Sequence, residues 1–204
     1  MTKLLLATSN QGKLREYQML FHGLPYELVT LAEVEIGQVS EDGKSLEENA
    51  ELKARVCAER SRLLTLADDS GLEVDALGGE PGPLSARYAG EGASDSERIA
   101  YLLARLEDVP WSARSARFRC VIAVATPDGG VTLCSGECPG YITFEPRGEQ
   151  GFGYDPVFYL SELSRTMAEL PLATKNRVSH RGQAARQAYQ VLSCLGDTRH
   201  ENRL

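Results

Sequence analysis

The chain is poor in the residues that build metal centres and disulfide frameworks. Its 204 residues hold three histidines and five cysteines. The cysteines (Cys57, Cys120, Cys134, Cys138, Cys194) are odd in number and form no CxxC pair, so neither zinc spacing nor a disulfide scaffold is present. They read as reduced thiols of a cytoplasmic protein. No apolar run approaches a membrane span, and the N-terminal apolar stretch is too short for a signal peptide. Basic residues are also scarce: there are five lysines, and the net charge is −7. That balance excludes broad binding to nucleic acid or an anionic membrane, both of which need a basic face. Any phosphate site must then be a local gathering of cations. What remains is an ordinary globular composition, 42% hydrophobic and 25% charged, long enough for one packed domain over residues 1–204.

The feature that stands out is residues 66–83, LADDSGLEVDALGGEPGP. It places Asp68 and Asp69 at the end of an apolar, strand-like run, followed at once by Ser70 and Gly71, then by a short strand-like alternation (Leu72, Val74, Ala76) and a glycine-proline turn. Carboxylates at the end of a buried strand are costly unless a cation, a proton or hydrogen bonds compensate them. A solvated turn capped by Asp68 accounts for the same residues equally well.

Other elements follow from periodicity. Residues 3–8 form a short apolar run suited to a buried first strand, and Leu14, Tyr17, Leu20 and Phe21 recur at helical spacing behind it. A second strand is expected at residues 26–31. Ser45 with Glu48, and Ser94 with Glu97, are capping-box patterns that open two further helices. Residues 115–126, SARFRCVIAVAT, give the strongest strand signal, with a hairpin turn at Asp128-Gly129 and a returning strand at residues 131–135. Residues 140–144 suggest another strand, residues 166–170 a helical turn, and residues 179–195 a long final helix. Mixed strands and helices indicate an α/β or α+β fold around a mixed sheet.

Three more segments carry chemistry. Thr8-Ser9-Asn10-Gln11-Gly12-Lys13 lies between a strand and a helix, the arrangement that offers backbone N–H groups to an anion. It lacks the first glycine and the final hydroxyl of a Walker A loop, and simple helix capping by Ser9 or Asn10 explains it as well. Gly151-Phe152-Gly153-Tyr154-Asp155-Pro156 is a turn whose aromatic faces suit base stacking and whose Asp155 suits a base edge. Lys175 to Arg181, KNRVSHR, gathers Lys175, Arg177, His180 and Arg181. With Ser179 as N-cap, His180 and Arg181 fall in the first turn of the last helix, where cations oppose the helix dipole unless an anion is near. A cation-rich cradle, paired carboxylates and a glycine-aromatic loop together suit a Mg²⁺-bound nucleoside triphosphate.

The ordered set Ser9-Asn10-x-x-Lys13, Asp68-Asp69-Ser70-Gly71-Leu72, Gly78-Gly79-x-Pro81-Gly82, Ser85-Ala86-Arg87-Tyr88, Gly151-Phe152-Gly153-Tyr154-Asp155-Pro156 and Ser179-His180-Arg181 resembles the inosine/xanthosine triphosphate pyrophosphatases. The resemblance implies an α/β fold with an elongated mixed β-sheet flanked by helices, two lobes with the active-site groove between them, and a Mg²⁺-dependent homodimer. It implies hydrolysis of ITP, dITP, XTP or dXTP to monophosphate and pyrophosphate. By the same resemblance Asp69 is the proton acceptor and a metal ligand. Thr8, Ser9, Asn10, Gln11, Gly12, Lys13 and Lys53 bind phosphates, and Ser70 lies beside the substrate. Phe152, Gly153, Tyr154 and Asp155 face the base, with Lys175, His180 and Arg181 as further contacts. Where relatives often carry Glu-Glu-Thr-Gly, this chain reads Ser40-Glu41-Asp42-Gly43, so Glu41 is the candidate second carboxylate at the metal, with Asp68 the alternative.

Overall fold

A computed structural model describes residues 2–37, 39 and 43–201, so the expected metal ligand Glu41 lies outside the described residues. The chain forms β1 (Thr2–Leu6), α1 (Gln11–Leu20), β2 (Tyr26–Thr30), α2 (Leu46–Ser61), β3 (Leu64–Val74), β4 (Pro81–Gly82), α3 (Asp95–Arg105), β5 (Ser115–Ala125), β6 (Val131–Ile142), β7 (Phe158–Leu160), β8 (Arg165–Thr166), α4 (Leu172–Val178) and α5 (His180–Glu201). The strands make a mixed eight-stranded sheet in the order β2-β1-β3-β5-β6-β7-β8, with β4 paired to β3. β1 runs parallel to β2 and β3, while the β6-β7-β8 ladder and the β3-β4 pair are antiparallel. Among the described residues no helix is long and apolar enough to cross a membrane.

Two compact units divide the chain. The first comprises Met1–Asp69, Cys120–Gly136 and Arg181–Leu204; the second comprises Ser70–Arg119 and Glu137–His180. In the first unit both faces of the sheet are covered. Side chains alternate along β1 and β5, so Leu4, Leu6, Cys120, Ile122 and Val124 pack with α1 and α5. Leu5, Val121, Ala123 and Ala125 pack on the other side with α2. Burial on both faces is why residues 120–125 read as wholly apolar. The second unit has its own core, in which Leu72, Val74, Phe118, Ile142 and Phe158 meet Ile99, Leu102 and Leu106 of α3.

Two expectations are corrected here. β3 does not end at the Asp pair: it continues through Asp68-Asp69-Ser70-Gly71 to Val74. The polar residues are tolerated because partners from other elements neutralise them. The separate strand expected at residues 140–144 is instead the far end of one long β6, which Gly136 and Pro139 do not break. At α2, Ser45 caps Glu48 N–H as expected, but the Glu48 carboxylate reaches the Lys44 N–H rather than closing the box on Ser45. At α3 the Ser94–Glu97 box closes in both directions.

Gly71 lets the strand pass its neighbour. A Cβ placed on it would meet Gly82 O of β4 at 2.3 Å and Gly82 C at 2.8 Å. Both obstacles are backbone, which cannot swing aside. Gly71→Ala is expected to cost about 2–3 kcal/mol, the range of overpacking a tight core. Urea unfolding measures it, and a loss below about 0.5 kcal/mol contradicts the close approach.

Candidate active site

In a strand, successive side chains face opposite sides of the sheet, and this separates the two aspartates. Asp68 joins the α1 and α5 side, while Asp69 turns toward α2. The pair therefore supplies two sites of different character.

Asp68 is fully buried and surrounded by cations. Its Oδ2 lies 3.0 Å from Lys13 Nζ, and it accepts from Arg181 Nε at 3.4 Å and Nη2 at 3.3 Å. Arg181 Nη1 donates to Glu16 Oε2 at 2.7 Å. Burial alone pushes the Asp68 pKa up, yet Lys13, Arg181 and Lys53 outweigh it and hold the carboxyl well below its ordinary range. Burial likewise disfavours the Arg181 charge, and Glu16 and Asp68 more than restore it. The cation opposing the α5 dipole thus has its anions, and they are the protein's own. Asp68 Oδ1 is buried without a hydrogen-bond partner.

Asp69 is almost as buried, and its Oδ2 accepts from Asn49 Nδ2 at 2.9 Å. Asn49 Oδ1 in turn accepts from Gly43 N–H at 2.8 Å. Lys53, one turn along α2, donates from Nζ to the Asp68 carbonyl at 2.6 Å. Asn49 and Lys53 are four residues apart, so one face of α2 presents an amide and an ammonium to this point of β3. The loop leaving β1 brings Thr8 to Lys13 to the start of α1. Asn10 is the observed N-cap, its Oδ1 accepting from Lys13 N–H at 3.0 Å, and Thr8 Oγ1 accepts from Asn10 N–H at 3.2 Å. Ser9, Asn10 and Gln11 are exposed, and Thr8, Gly12 and Lys13 are half-buried. Capping and anion reception are compatible, because the first-turn N–H groups of a helix outnumber those its cap satisfies.

In the second unit, Ser70 is a half-buried residue of β3. The turn holding Phe152 is tightly built. Asp155 Oδ2 accepts from Phe152 N–H at 2.9 Å and from Lys175 Nζ, and Lys175 Nζ lies 4.6 Å from the Phe152 ring centroid. Gly151 has a φ of +79°, and a Cβ there would meet Asp155 Oδ2 at 2.1 Å, so only glycine lets the carboxylate fold back. Tyr154 is buried with its hydroxyl on Ser85 O at 2.9 Å. His180 stacks on Phe118 with ring centroids 4.7 Å apart. Of the four residues in this segment, Phe152 and Gly153 keep partial exposure, while Tyr154 and Asp155 are spent on holding the turn.

Charge and geometry divide the expected residues cleanly. Within the first unit the structure brings together Asp68, Asp69, Lys13, Lys53 and Arg181; within the second it brings together Phe152 to Asp155 and Lys175. Glu16 escaped notice, because a glutamate on a helix reads as solvated; its burial at 2% exposure depends on Arg181, 165 residues away. Among the described residues no three His, Cys, Asp or Glu side chains form a metal-holding group. Asp69 still fits a hard cation such as Mg²⁺, which is held by one or two carboxylates and completed by water and phosphate oxygens.

In the first unit the braced aspartate and the polar β1–α1 loop suit phosphate chemistry, and in the second the glycine-aromatic turn suits a flat ring, the parts a nucleotide-handling enzyme needs. The chain belongs to the Ham1 family, whose model matches residues 4–191. It is 55% identical over 185 residues to the dITP/XTP pyrophosphatase of Geobacter sulfurreducens, covering 90% of this chain and 93% of that protein. It is 49% identical over 194 residues to the dITP/XTP pyrophosphatase of Desulforamulus reducens, covering 95% and 96%. A solved HAM1 protein from Coxiella burnetii superposes with a TM-score of 0.87 at 44% identity, covering 95% of this chain and 99% of that one.

Proposed function

We propose that this protein hydrolyses non-standard purine nucleoside triphosphates (dITP, ITP, XTP, dXTP) to the monophosphate and pyrophosphate, keeping them out of DNA and RNA synthesis. The observation that carries the reading is Asp69, a carboxylate buried in β3 and oriented by Asn49, with Lys53 beside it, in a chain so similar to dITP/XTP pyrophosphatases. Asp69 takes the proton from the water that attacks the α-phosphorus. Thr8, Ser9, Asn10, Gln11 and Gly12 hydrogen-bond the phosphates, and Lys13 and Lys53 offset their charge as pyrophosphate leaves. Asp69 and Glu41 would hold Mg²⁺, and Gly43, two residues beyond Glu41, is already tied to Asn49 and through it to Asp69. When bound there, Mg²⁺ would supply charge neutralisation for the phosphates and the leaving group.

The base falls to Phe152, whose ring stacks on it, and to the Gly153 backbone, on a turn held by Tyr154 and Asp155; Ser70, Lys175, His180 and Arg181 are proposed as further substrate contacts. Discrimination comes from groups that match a 6-keto purine; the 6-amino group of adenine leaves them unpaired, which costs about 1–3 kcal/mol, or roughly fivefold to more than a hundredfold in rate. Residues 1–204 are proposed to work as a single nucleoside-triphosphate pyrophosphatase domain. The protein is proposed to act in the cytoplasm as a homodimer.

The test is steady-state hydrolysis of dITP, XTP, dGTP, dATP and a modified pyrimidine triphosphate with Mg²⁺. The expected result is pyrophosphate release with kcat/KM for dITP and XTP at least about a hundredfold above dATP. Comparable turnover of dATP, or binding without turnover, overturns the reading.

A further inference from the structure

We infer that Asp95, held by Arg98, is a positioning residue that fixes the tip of the Phe152 turn and so sharpens the choice of base. The inference rests on the reading of Phe152 and Gly153 as base contacts.

Lys175 and Asp155 secure the Phe152 end of the turn from within. The tip has another anchor: Gly153 N–H donates to Asp95 Oδ2 at 2.6 Å, across 58 residues of sequence. Gly153 has a φ of +61°, in the left-handed region where glycine is favoured, so the turn carries two such glycines with Gly151. A segment like this has many alternatives unless something outside it holds the tip.

Asp95 is free to act because it has no capping duty. It is the first residue of α3, where an aspartate commonly serves its own helix. Here Ser94 and Glu97 close the capping box, with Ser94 Oγ accepting from Glu97 N–H at 3.3 Å and Glu97 Oε2 accepting from Ser94 N–H at 2.8 Å. The Asp95 carboxylate is therefore available to Gly153. Its other oxygen, Oδ1, accepts from Arg98 Nη2, and Arg98 Nη1 donates to Ala93 O and, at 3.1 Å, to Ala86 O. Beside Ala86, Ser85 O accepts the Tyr154 hydroxyl, while Ser85 Oγ accepts from Leu72 N–H at 2.9 Å. A closed circuit results: Gly153 to Asp95, Asp95 to Arg98, Arg98 to Ala86, and Ser85 back to Tyr154. Both residues that follow Phe152 are thus pinned to the turn at Ser85–Arg87. A charged acceptor on a backbone N–H is among the stronger and more directional hydrogen bonds. Losing it lets the Phe152 ring and the Gly153 backbone drift, which affects base fit before it affects the chemical step.

The experiment compares full-length wild type with Asp95→Ala, Asp95→Asn and Ser94→Ala, measuring kcat and KM for dITP and dGTP and hydrogen exchange at residues 151–155. Asparagine keeps an oxygen for the Gly153 N–H, and Ser94→Ala weakens α3 without touching the turn. For Asp95→Ala we expect the dITP KM to rise about tenfold, kcat to stay within about twofold, and the dITP-over-dGTP ratio of kcat/KM to fall about tenfold. Exchange at Gly153 should quicken. Asp95→Asn should recover most of the ratio, and Ser94→Ala should lower Tm while leaving the ratio alone. An unchanged ratio in Asp95→Ala, or an equal fall in Ser94→Ala, overturns the inference. Should the wild type release no pyrophosphate from dITP, the proposed function falls by itself, and the exchange rate at Gly153 in Asp95→Ala still upholds or overturns the positioning.

Discussion

Asp69→Asn is expected to lower kcat for dITP by about a thousandfold while changing nucleotide affinity less than about threefold, the pattern of a group that acts in the transition state. The substitution is nearly isosteric. The new amide oxygen still accepts from Asn49 Nδ2, so the 2.9 Å contact and the local packing survive. What disappears is the negative charge and the ability to take a proton. A general base contributes about 10²–10⁴-fold, and loss of a metal-holding oxygen adds to it. Single-turnover kinetics with titration calorimetry on the same variant separate chemistry from binding. A kcat within about tenfold of wild type would remove Asp69 from the chemistry, whatever its burial.

Arg181→Met is expected to destabilise the fold by about 3–5 kcal/mol, because it takes a shared buried cation from two buried anions. Glu16 and Asp68 are 2% and 0% exposed, and Arg181 bridges them. Lys13 remains beside Asp68, but Glu16 loses its guanidinium. For a chain of this length the Tm should fall by roughly 6–20 °C. Adding Glu16→Gln should recover part of the loss, because a buried charge that has lost its guanidinium is removed; the double-variant cycle reads the coupling directly. A loss under about 1 kcal/mol means the pair is screened like a surface bridge and the buried network is not what holds α5 to α1 and β3.

The sequence carries the elements whose signal is local. β5 was legible because its side chains meet apolar partners on both faces, and α3 because Ser94 and Glu97 form a complete capping box. The candidate site segments stood out only as an ordered set, since a strand running into SNQGK, an Asp pair and a glycine-aromatic turn each have an ordinary structural use when taken alone. What was not legible depended on distant partners. Asp68-Asp69 looked like the end of a strand because two carboxylates inside one are unaffordable in isolation. Lys13, Lys53 and Arg181 reverse that, and they lie 55, 15 and 113 residues away. Glu16 gave no signal for the same reason. β7 and β8, at three and two residues, are too short for any periodicity to show. α4 begins directly after Pro171, in a stretch read only as basic. The basic cluster itself was seen, but its destination was not: Lys175 goes to Asp155 and Arg181 to Glu16 and Asp68. Two expected ligands therefore organise the site through other residues as well.

The separation of Asp68 from Asp69 is what most changes the view of the site. Adjacent carboxylates invite a shared ion, yet strand alternation sends them to opposite faces. Asp68 is neutralised by protein cations, which leaves Asp69 as the described carboxylate suited to the reacting end of a triphosphate. The chemistry proposed for it is removal of a proton from the water that attacks the α-phosphorus, with pyrophosphate as the leaving group. That claim is tested most directly by turning over dITP in ¹⁸O-enriched water and reading the products by ³¹P NMR. The account predicts pyrophosphate and dIMP, with the label in the monophosphate. Orthophosphate with dIDP, or label in the pyrophosphate, would contradict it.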